Sequence, residues 1–290
     1  MATTSVSPGQ FIVAGTPIGN LGDASARLRA ALAGADVVAA EDTRVARKLC
    51  QGLGVETSAQ FFAHHEHNEA ASTQGLLSMV REGATVVLIS DAGMPTISDP
   101  GSRVVAAAVA EDLPVTCLPG PSAVTTALAL SGLPSERFAF DGFVPRKEGE
   151  RRRLLEGLRT EPRTVVLFES PQRILATLER VAEVLGERRR VCVARELTKL
   201  HEEVVRGTAS ELLEWARERH TGEGIRGEIV LLIGAAPAEA SSSSPEDVID
   251  EVEAHVVAGT RLKEAVALVA GAHGLRSREV YDAVTRARSR

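Results

Sequence analysis

Aromatic side chains are nearly absent from this chain: nine of its 290 residues are Phe, Trp or Tyr. A core must therefore be assembled from Val, Leu, Ile and Ala, and a sheet paved with exposed stacking aromatics, the usual platform for single-stranded RNA, is excluded. Cysteine is equally sparse. Cys50, Cys117 and Cys192 stand far apart with no CxxC pair, which argues against a disulfide framework and a zinc site and reads as reduced core thiols in a cytosolic protein. Long apolar runs are missing too: no stretch approaches the roughly 18 residues needed to span a bilayer. The segment Met1–Gln10 is polar and lacks the basic flank and apolar run of a secretory signal. Nor is there an excess of positive charge. With 33 Lys and Arg against 39 Asp and Glu the net charge is −6, so RNA contact has to come from local basic segments and not from the whole surface. These absences lead to the expectation of a soluble, cytoplasmic protein.

What is present is an alternation of short apolar runs and helical patterns. Gln10–Ala14, Asp36–Ala40, Ala84–Ser90 and Pro114–Leu118 read as buried strands. The intervening Ala24–Ala35, Thr43–Gly52, Glu69–Glu82 and Ser102–Glu111 fit amphipathic helices, and such alternation implies a parallel sheet covered on both faces. A second set of strands is expected over Phe138–Val144, Thr164–Glu169, Val191–Glu196, Glu203–Thr208 and Glu228–Ile233, with helices over Glu150–Leu158, Gln172–Leu185 and Ala209–Arg219. The close spacing from Val191 to Thr208 suggests a mixed sheet. The expected class is therefore α/β, with a parallel-sheet N-terminal domain over 10–133 and a mixed-sheet second domain over 134–236. The AAPAEASSSSP segment has linker composition, giving a flexible linker over 237–246. A helical tail over 247–290 follows, in which RLKEAVALVAGAHGLRSREVY resembles a helix-turn-helix. From Arg261 to Arg290 there are seven basic and three acidic residues.

Three loops at strand ends carry the chemistry. GTPIGNLGD, from Gly15 to Asp23, brings glycines near a ligand, but its spacing is not G-x-G-x-x-G and Pro17 removes an amide that a phosphate cradle would use. A nicotinamide cofactor is thereby disfavoured. SDAGMPTISDPG, from Ser90 to Gly101, begins where a strand ends, the place at which open parallel sheets bind ligands. There Asp91 can accept hydrogen bonds from a ligand's hydroxyl or amino groups, Gly93 removes bulk, and Asp99 or Ser98 can cap the next helix. LPGPSA, from Leu118 to Ala123, leads exposed amides into a helix over Ala123–Leu130, which suits a carboxylate or an adenine edge. The histidines of HHEHNE, from His64 to Glu69, lack the H-E-x-x-H spacing of zinc sites, so no metal is expected. RKEGERRR, from Arg146 to Arg153, has five basic and two acidic residues and is a candidate for phosphate contact through Arg151, Arg152 and Arg153.

Taken in order, GTPIGNLGD, ADVVAAEDTR, HHEHNE, SDAGMPTISDPG, PGPSA, LFESPQR, ARELTK and GEIVLLIG resemble the tetrapyrrole (corrin/porphyrin) methylase superfamily, in its ribosomal-RNA-methylating branch. The resemblance spans about Gln10 to Gly234. Where precorrin members show G-D-P, this chain has Ser90-Asp91-Ala92, which favours the RNA branch. The resemblance implies a homodimer whose interdomain cleft binds folded S-adenosyl-L-methionine, and 2′-O-methylation of a cytidine ribose in small-subunit (16S) ribosomal RNA near the decoding centre. It places cofactor contacts at Pro17, Asp91, Gly93, Met94, Ser122 and Ala123, with Phe168, Gly227 and Glu228 from the second domain. Methyl transfer to a ribose oxygen needs in-line alignment and removal of the hydroxyl proton. Candidates for the proton are Glu41, Asp42, Glu169, Glu196 and Lys199, with Lys199 and Glu196 foremost. Arg44, Arg173 and Arg195 are candidate phosphate or carboxylate clamps. Two alternatives stand beside this reading: methylation of a tetrapyrrole precursor, and a non-catalytic RNA- or ribosome-binding factor.

Overall fold

The computed structural model describes residues 9–65, 67–222, 224–237, 244–273 and 275–288. Most of the polar N-terminal segment, Glu66 of the histidine run, the centre of the expected linker and the last two residues of the tail lie outside the described residues.

The first sheet contains β1 (Phe11–Ala14), β2 (Val37–Ala40), β3 (Gln60–Ala63), β4 (Val86–Ile89) and β5 (Val115–Leu118), in the order β3-β2-β4-β1-β5. Every pairing in it is parallel. The three central strands are buried at every position, as required when helices cover both faces. Alternate residues point to opposite cores. Ile12, Ala14, Val38, Ala40, Val87 and Ile89 meet α1 (Ala26–Gly34) and α2 (Thr43–Gly52). Phe11, Val13, Val37, Ala39, Val86 and Leu88 meet α3 (Glu69–Arg81) and α4 (Ser102–Ala110).

Strand β3 has no counterpart among the runs picked out by sequence. It is a four-residue edge strand, half-exposed along its length, and so lacks the unbroken apolar run that marks its neighbours. Its Phe61 ring lies under the Arg47 guanidinium, 4.3 Å from centroid to carbon. A second correction concerns the start of α4. Neither Asp99 nor Ser98 caps it: Gly101 occupies the N-cap at φ 126°. Glu69, at the start of α3, accepts hydrogen bonds from the Gly101 and Arg103 amides at 2.9 and 3.3 Å. A carboxylate there satisfies donors that the helix itself cannot.

The second sheet contains β6 (Phe138–Phe143), β7 (Thr164–Glu169), β8 (Arg190–Arg195), β9 (Glu203–Thr208) and β10 (Ile229–Ile233), in the order β6-β7-β10-β8-β9. Only β6 and β7 run parallel; β10 is antiparallel to both its neighbours, as is β9 to β8. Helices α6 (Glu148–Gly157), α7 (Ile174–Leu185) and α8 (Ala209–Thr221) complete it. Thr208 and Glu211 form a reciprocal capping box at the start of α8.

Helix α5 (Ala123–Ser131) joins the two sheets. It follows β5 of the first sheet but buries Val124, Ala127 and Leu128 against Val166, Cys192, Ala194, Val230 and Leu232 of the second. The described residues up to 156, with those of 164–234, accordingly form one compact unit. Residues 157–163 and 235–290 form another. The latter contains α9 (Ile249–Val257), α10 (Leu262–Ala272) and α11 (Ser277–Arg288), closed around Val252, Val266, Val269, Val280 and Val284. Among the described residues no helix is long and apolar enough to cross a membrane.

Since α5 is the shared element of the first unit, Leu128→Ala should lower its unfolding free energy by about 2–5 kcal/mol, the range for a buried Leu truncation. Urea denaturation followed by circular dichroism measures this; a change below about 1 kcal/mol would show that α5 is not part of the cooperative core.

Candidate functional site

The carboxyl ends of β4, β1 and β5 are neighbours, and the loops that leave them are stitched together. The Thr16 amide donates to the Gly93 carbonyl at 2.9 Å, and its hydroxyl reaches the Ser90 and Gly93 carbonyls at 3.3 Å each. The Ser90 hydroxyl also donates to Gly93 O, at 3.1 Å. The Gly15 amide donates to Leu118 O at 3.0 Å. Gly15 and Gly120 touch backbone to backbone, so that a Cβ on Gly120 would fall 2.8 Å from Gly15. Only glycine permits that approach.

Four non-glycine residues in two loops adopt left-handed backbone. Thr96 (φ 74°) and Ser98 (φ 63°) flank Ile97, while Glu196 (φ 51°) and Thr198 (φ 67°) flank Leu197. Such conformations cost of order 1–3 kcal/mol each and persist where surrounding contacts enforce them, commonly at ligand sites. Ile97 and Ser98 line a cavity, while Glu196 packs against Gly227 and Glu228, which line it from the second sheet. Ile97 is 42% exposed, and Leu197 is buried in the α5 core.

This cavity has a volume of ≈ 360 Å³, within the range of small-molecule sites. The first-sheet loops contribute Ile18, Gly93, Met94, Ser98, Asp99, Ser122 and Ala123. The second sheet contributes Phe143, Phe168, Glu169, Ser170, Gly227 and Glu228. Phe168 stands edge-on to Phe140 and Phe143, with centroids 4.9 and 5.3 Å away. Ser122 is the N-cap of α5 and makes no side-chain cap hydrogen bond, so the first amides of that helix open on the cavity. Of the nine residues expected at the cofactor, Gly93, Met94, Ser122, Ala123, Phe168, Gly227 and Glu228 line this space. Pro17 is buried and does not line it. Asp91 stands at the outer edge, accepting the Asp42 amide at 3.3 Å.

Asp99 was expected to cap a helix and instead lines the cavity. Its carboxyl is pushed up to about 6, chiefly by burial, then by the nearby charges of Glu41 and Asp91, with the Ser90 hydroxyl opposing through a hydrogen bond. No spacing rule distinguishes it from Asp91, because the difference arises from how the loop folds back.

The expected proton-handling pair proves to be part of a bridge. Lys199 Nζ lies 2.8 Å from Glu196 Oε1 and 3.0 Å from Glu228 Oε2. Glu196 Oε1 also accepts the Glu228 amide at 3.0 Å. Partial burial alone would lower the Lys199 ammonium, but the two carboxylates outweigh it and hold it above its ordinary value; Glu196 is held low by Lys199 and the Glu228 amide. Lys199 is thus a charged tie, not a free amine. It packs against Gly19, where there is no room for a Cβ, and so links the first-sheet loop to the second sheet.

The arginines divide into two groups. Arg173 donates to the Val144 and Pro145 carbonyls at 2.8 and 2.7 Å and lies 3.4 Å from Glu169. Arg195 is held by Glu203 at 3.1 Å and by the Arg226 carbonyl. Arg151 is buried and paired with Glu148. All three are engaged in holding the fold. Arg44, Arg152 and Arg153 are exposed, pairing with Asp42, Glu156 and the Gly149 carbonyl respectively. Glu169 is likewise an anchor, accepting from the Ser170 amide at 2.7 Å and the Thr177 hydroxyl at 2.5 Å. In the histidine run His64 is buried, with Nδ1 2.7 Å from the Ser72 hydroxyl. Its partner Glu69 is the cap of α4 described above.

Comparison with known proteins gives a consistent picture. The profile of the Tetrapyrrole (Corrin/Porphyrin) Methylases matches residues 10–213. A protein of Mycobacterium tuberculosis named Ribosomal RNA small subunit methyltransferase I is 49% identical over 284 residues, covering 98% of this chain and 97% of its own length. Proteins of the same name from Escherichia coli O157:H7 and Bacillus subtilis are 41% and 38% identical, covering 95% and 92% of this chain and 94% and 91% of their own. Among solved structures, the methyltransferase CobJ superposes with TM-score 0.58 at 22% identity, covering 79% of this chain and 95% of its own. A Thermus thermophilus uroporphyrin-III C-methyltransferase complexed with S-adenosylhomocysteine gives TM-score 0.52 at 20% identity, with coverage of 78% and 97%.

Asp99 also sets a pH dependence. Its folded value, about 6, lies above the roughly 3.9 of an unfolded aspartate, so the native state binds more protons than the unfolded chain between those values. Stability should therefore fall as pH rises from about 4 to about 6, and Asp99→Asn should remove that slope. Urea midpoints measured across this window test it; an unchanged slope in the variant would assign the shift to another group.

Proposed function

We propose that this chain, which belongs to the tetrapyrrole (corrin/porphyrin) methylase family, is an S-adenosyl-L-methionine-dependent methyltransferase acting on ribosomal RNA of the small subunit, and specifically on a cytidine ribose 2′-hydroxyl near the decoding centre. The single observation that carries the RNA reading is the match of 38–49% identity over 92–98% of the chain to proteins named for that activity. The solved tetrapyrrole enzymes share the fold at about 20% identity. That supports the same cofactor more than the same substrate.

The cavity fits the cofactor. Its apolar lining from Ile18, Met94 and Phe168 suits an adenine ring. The uncapped start of α5 supplies amides for a carboxylate. Glu228 supplies negative charge for a ligand whose reacting group is a cation. When bound, S-adenosyl-L-methionine supplies an activated methyl group, so no metal is required by the chemistry.

The protein's tasks are then alignment and proton removal. The bridge from Lys199 to Glu196 and Glu228 holds the ARELTK turn against β10 and the Gly19 loop, which keeps the cleft walls in register. Because Lys199 is charged, Asp99 is the better proton acceptor: it faces the cavity, and a value near 6 suits a base at neutral pH. Exposed Arg44, Arg152 and Arg153 are the arginines of the expected set positioned to meet phosphates. We also propose association of two copies in the cytoplasm. β5 and β6 are edge strands that leave Cys117, Phe138 and Phe143 in the open, and a second copy would cover them.

The direct test incubates the protein with methyl-tritiated cofactor and small ribosomal subunits from cells lacking the gene, then digests the RNA to nucleosides. Label should appear as a 2′-O-methylated cytidine. Label on another nucleoside would correct the substrate position, and none on RNA despite cofactor binding would return the tetrapyrrole alternative. Asp99→Asn should lower kcat about 10²–10⁴-fold while leaving cofactor affinity within a few fold, the usual scale for losing a general base. Full activity in that variant would remove Asp99 from the mechanism.

A further inference from the structure

The family match ends at residue 213, yet the chain continues into a separate helical unit. The solved tetrapyrrole methyltransferases are covered almost completely, 95–97%, by 78–79% of this chain. Relatives named for ribosomal RNA align over 84–98% of it, so in most of them the alignment runs into the C-terminal unit, which is additional to the shared fold.

Charge within that unit is sorted. Arg288 forms a two-pronged pair with Glu253 at 2.6 and 2.7 Å, and Arg286 reaches Glu246 at 3.3 Å. His273 lies 2.6 Å from Glu251. Glu246 and Glu253 are thus matched to the far end of α11, and Glu251 to the end of α10. At the other end ion pairing is sparse, and the acids Glu264 and Asp282 also stand without a cation partner among the described residues. Arg276 has only a 3.7 Å contact with Glu279, and Lys263 and Arg278 have no acidic partner among the described residues. These two border a groove of ≈ 790 Å³ between α10 and α11, floored by Val266 and Ala267 and closed by Ser277 and Tyr281. Tyr281 is the chain's one tyrosine, and 42% of it is exposed. In a protein with nine aromatic residues, an exposed ring between two unpaired cations calls for a partner.

We propose that the groove between α10 and α11 binds a strand of the RNA substrate, with Lys263 and Arg278 on phosphates and Tyr281 against a base or ribose. The inference rests on the RNA reading above and adds a second anchoring point remote in sequence from the cofactor cavity. The chemistry supports it in three ways. Phosphates take up the unmatched cations, an aromatic face stacks on any base, and the apolar floor excludes water beneath the stack. A chain of net charge −6 needs such a local site, because its overall field repels RNA.

The experiment uses the full chain, with Lys263→Glu/Arg278→Glu and Tyr281→Ala as variants. Binding to small subunits is measured as a function of salt, beside cofactor binding by calorimetry and methyl transfer under saturating cofactor. The double charge reversal should weaken subunit binding at least tenfold and flatten the slope of log K against log salt by roughly 1.5, from two lost phosphate contacts. Tyr281→Ala should weaken it several-fold with no change in slope. Both should raise KM for subunits while cofactor affinity stays as in the wild type, a split that unfolding of the cofactor-binding unit would not produce. Unchanged helical circular dichroism excludes unfolding of the C-terminal unit. A photoreactive side chain at Ala267 should crosslink to RNA. Unchanged affinity and slope would overturn the proposal, and so would a crosslink only to a ribosomal protein, which would make the groove a protein-docking surface. If the wild-type protein itself transfers no methyl group to RNA, the substrate reading falls as well; if it does and the variants match it, this inference alone falls.

Discussion

Helix α5 leaves the first sheet through Pro119–Ser122 and buries Val124, Ala127 and Leu128 on the second, and the cleft depends on that double membership. Its first turn delivers Ser122 and Ala123 to the cavity. Its buried face fixes how far β10 and β8 stand from the glycine-rich loops. Packed interiors resist small displacements because their atoms are already at contact distance. An apolar helix shared by two sheets therefore sets the cavity's width more firmly than any hydrogen bond across it.

Around that frame, strain and charge are concentrated at the same place. The left-handed residues stand in loops that are tied down nearby: Thr16 and Ser90 hold Gly93 at the start of one, and the Glu196–Lys199–Glu228 bridge holds the other. The bridge resolves the roles of the ionisable groups. A lysine between two carboxylates stays protonated, whereas an aspartate shielded from water and facing two other acids is pushed toward neutrality. Lys199 is accordingly a tie and Asp99 a group able to exchange a proton near physiological pH. In the C-terminal unit ion pairs gather at the far end of α11, while Lys263 and Arg278 at the groove have no acidic partner among the described residues.

Much of the architecture was legible before any coordinates. Runs such as FIVA, VVAA and VVLI are apolar at every position because both faces of a parallel sheet are covered, and that burial leaves its trace in sequence. The close spacing of β8 and β9 announced antiparallel pairing. What escaped was β3, whose QFFA is open on one edge and carries no such trace. The helix-cap assignment at Ser98 and Asp99 also failed, because Glu69, 32 positions before the Gly101 N-cap, accepts its amide.

The loops were legible as loops, and seven of the nine expected cofactor residues do face one cavity. Local periodicity, turn chemistry and composition were enough for every strand but β3, for the strand ends where ligands can sit and for the basic excess of the tail. Only the tertiary structure decided which carboxylate faces the cavity, which arginines are engaged internally and which cations of the tail remain unmatched. Those properties depend on partners tens of residues away, and on solvent exposure that no local pattern encodes.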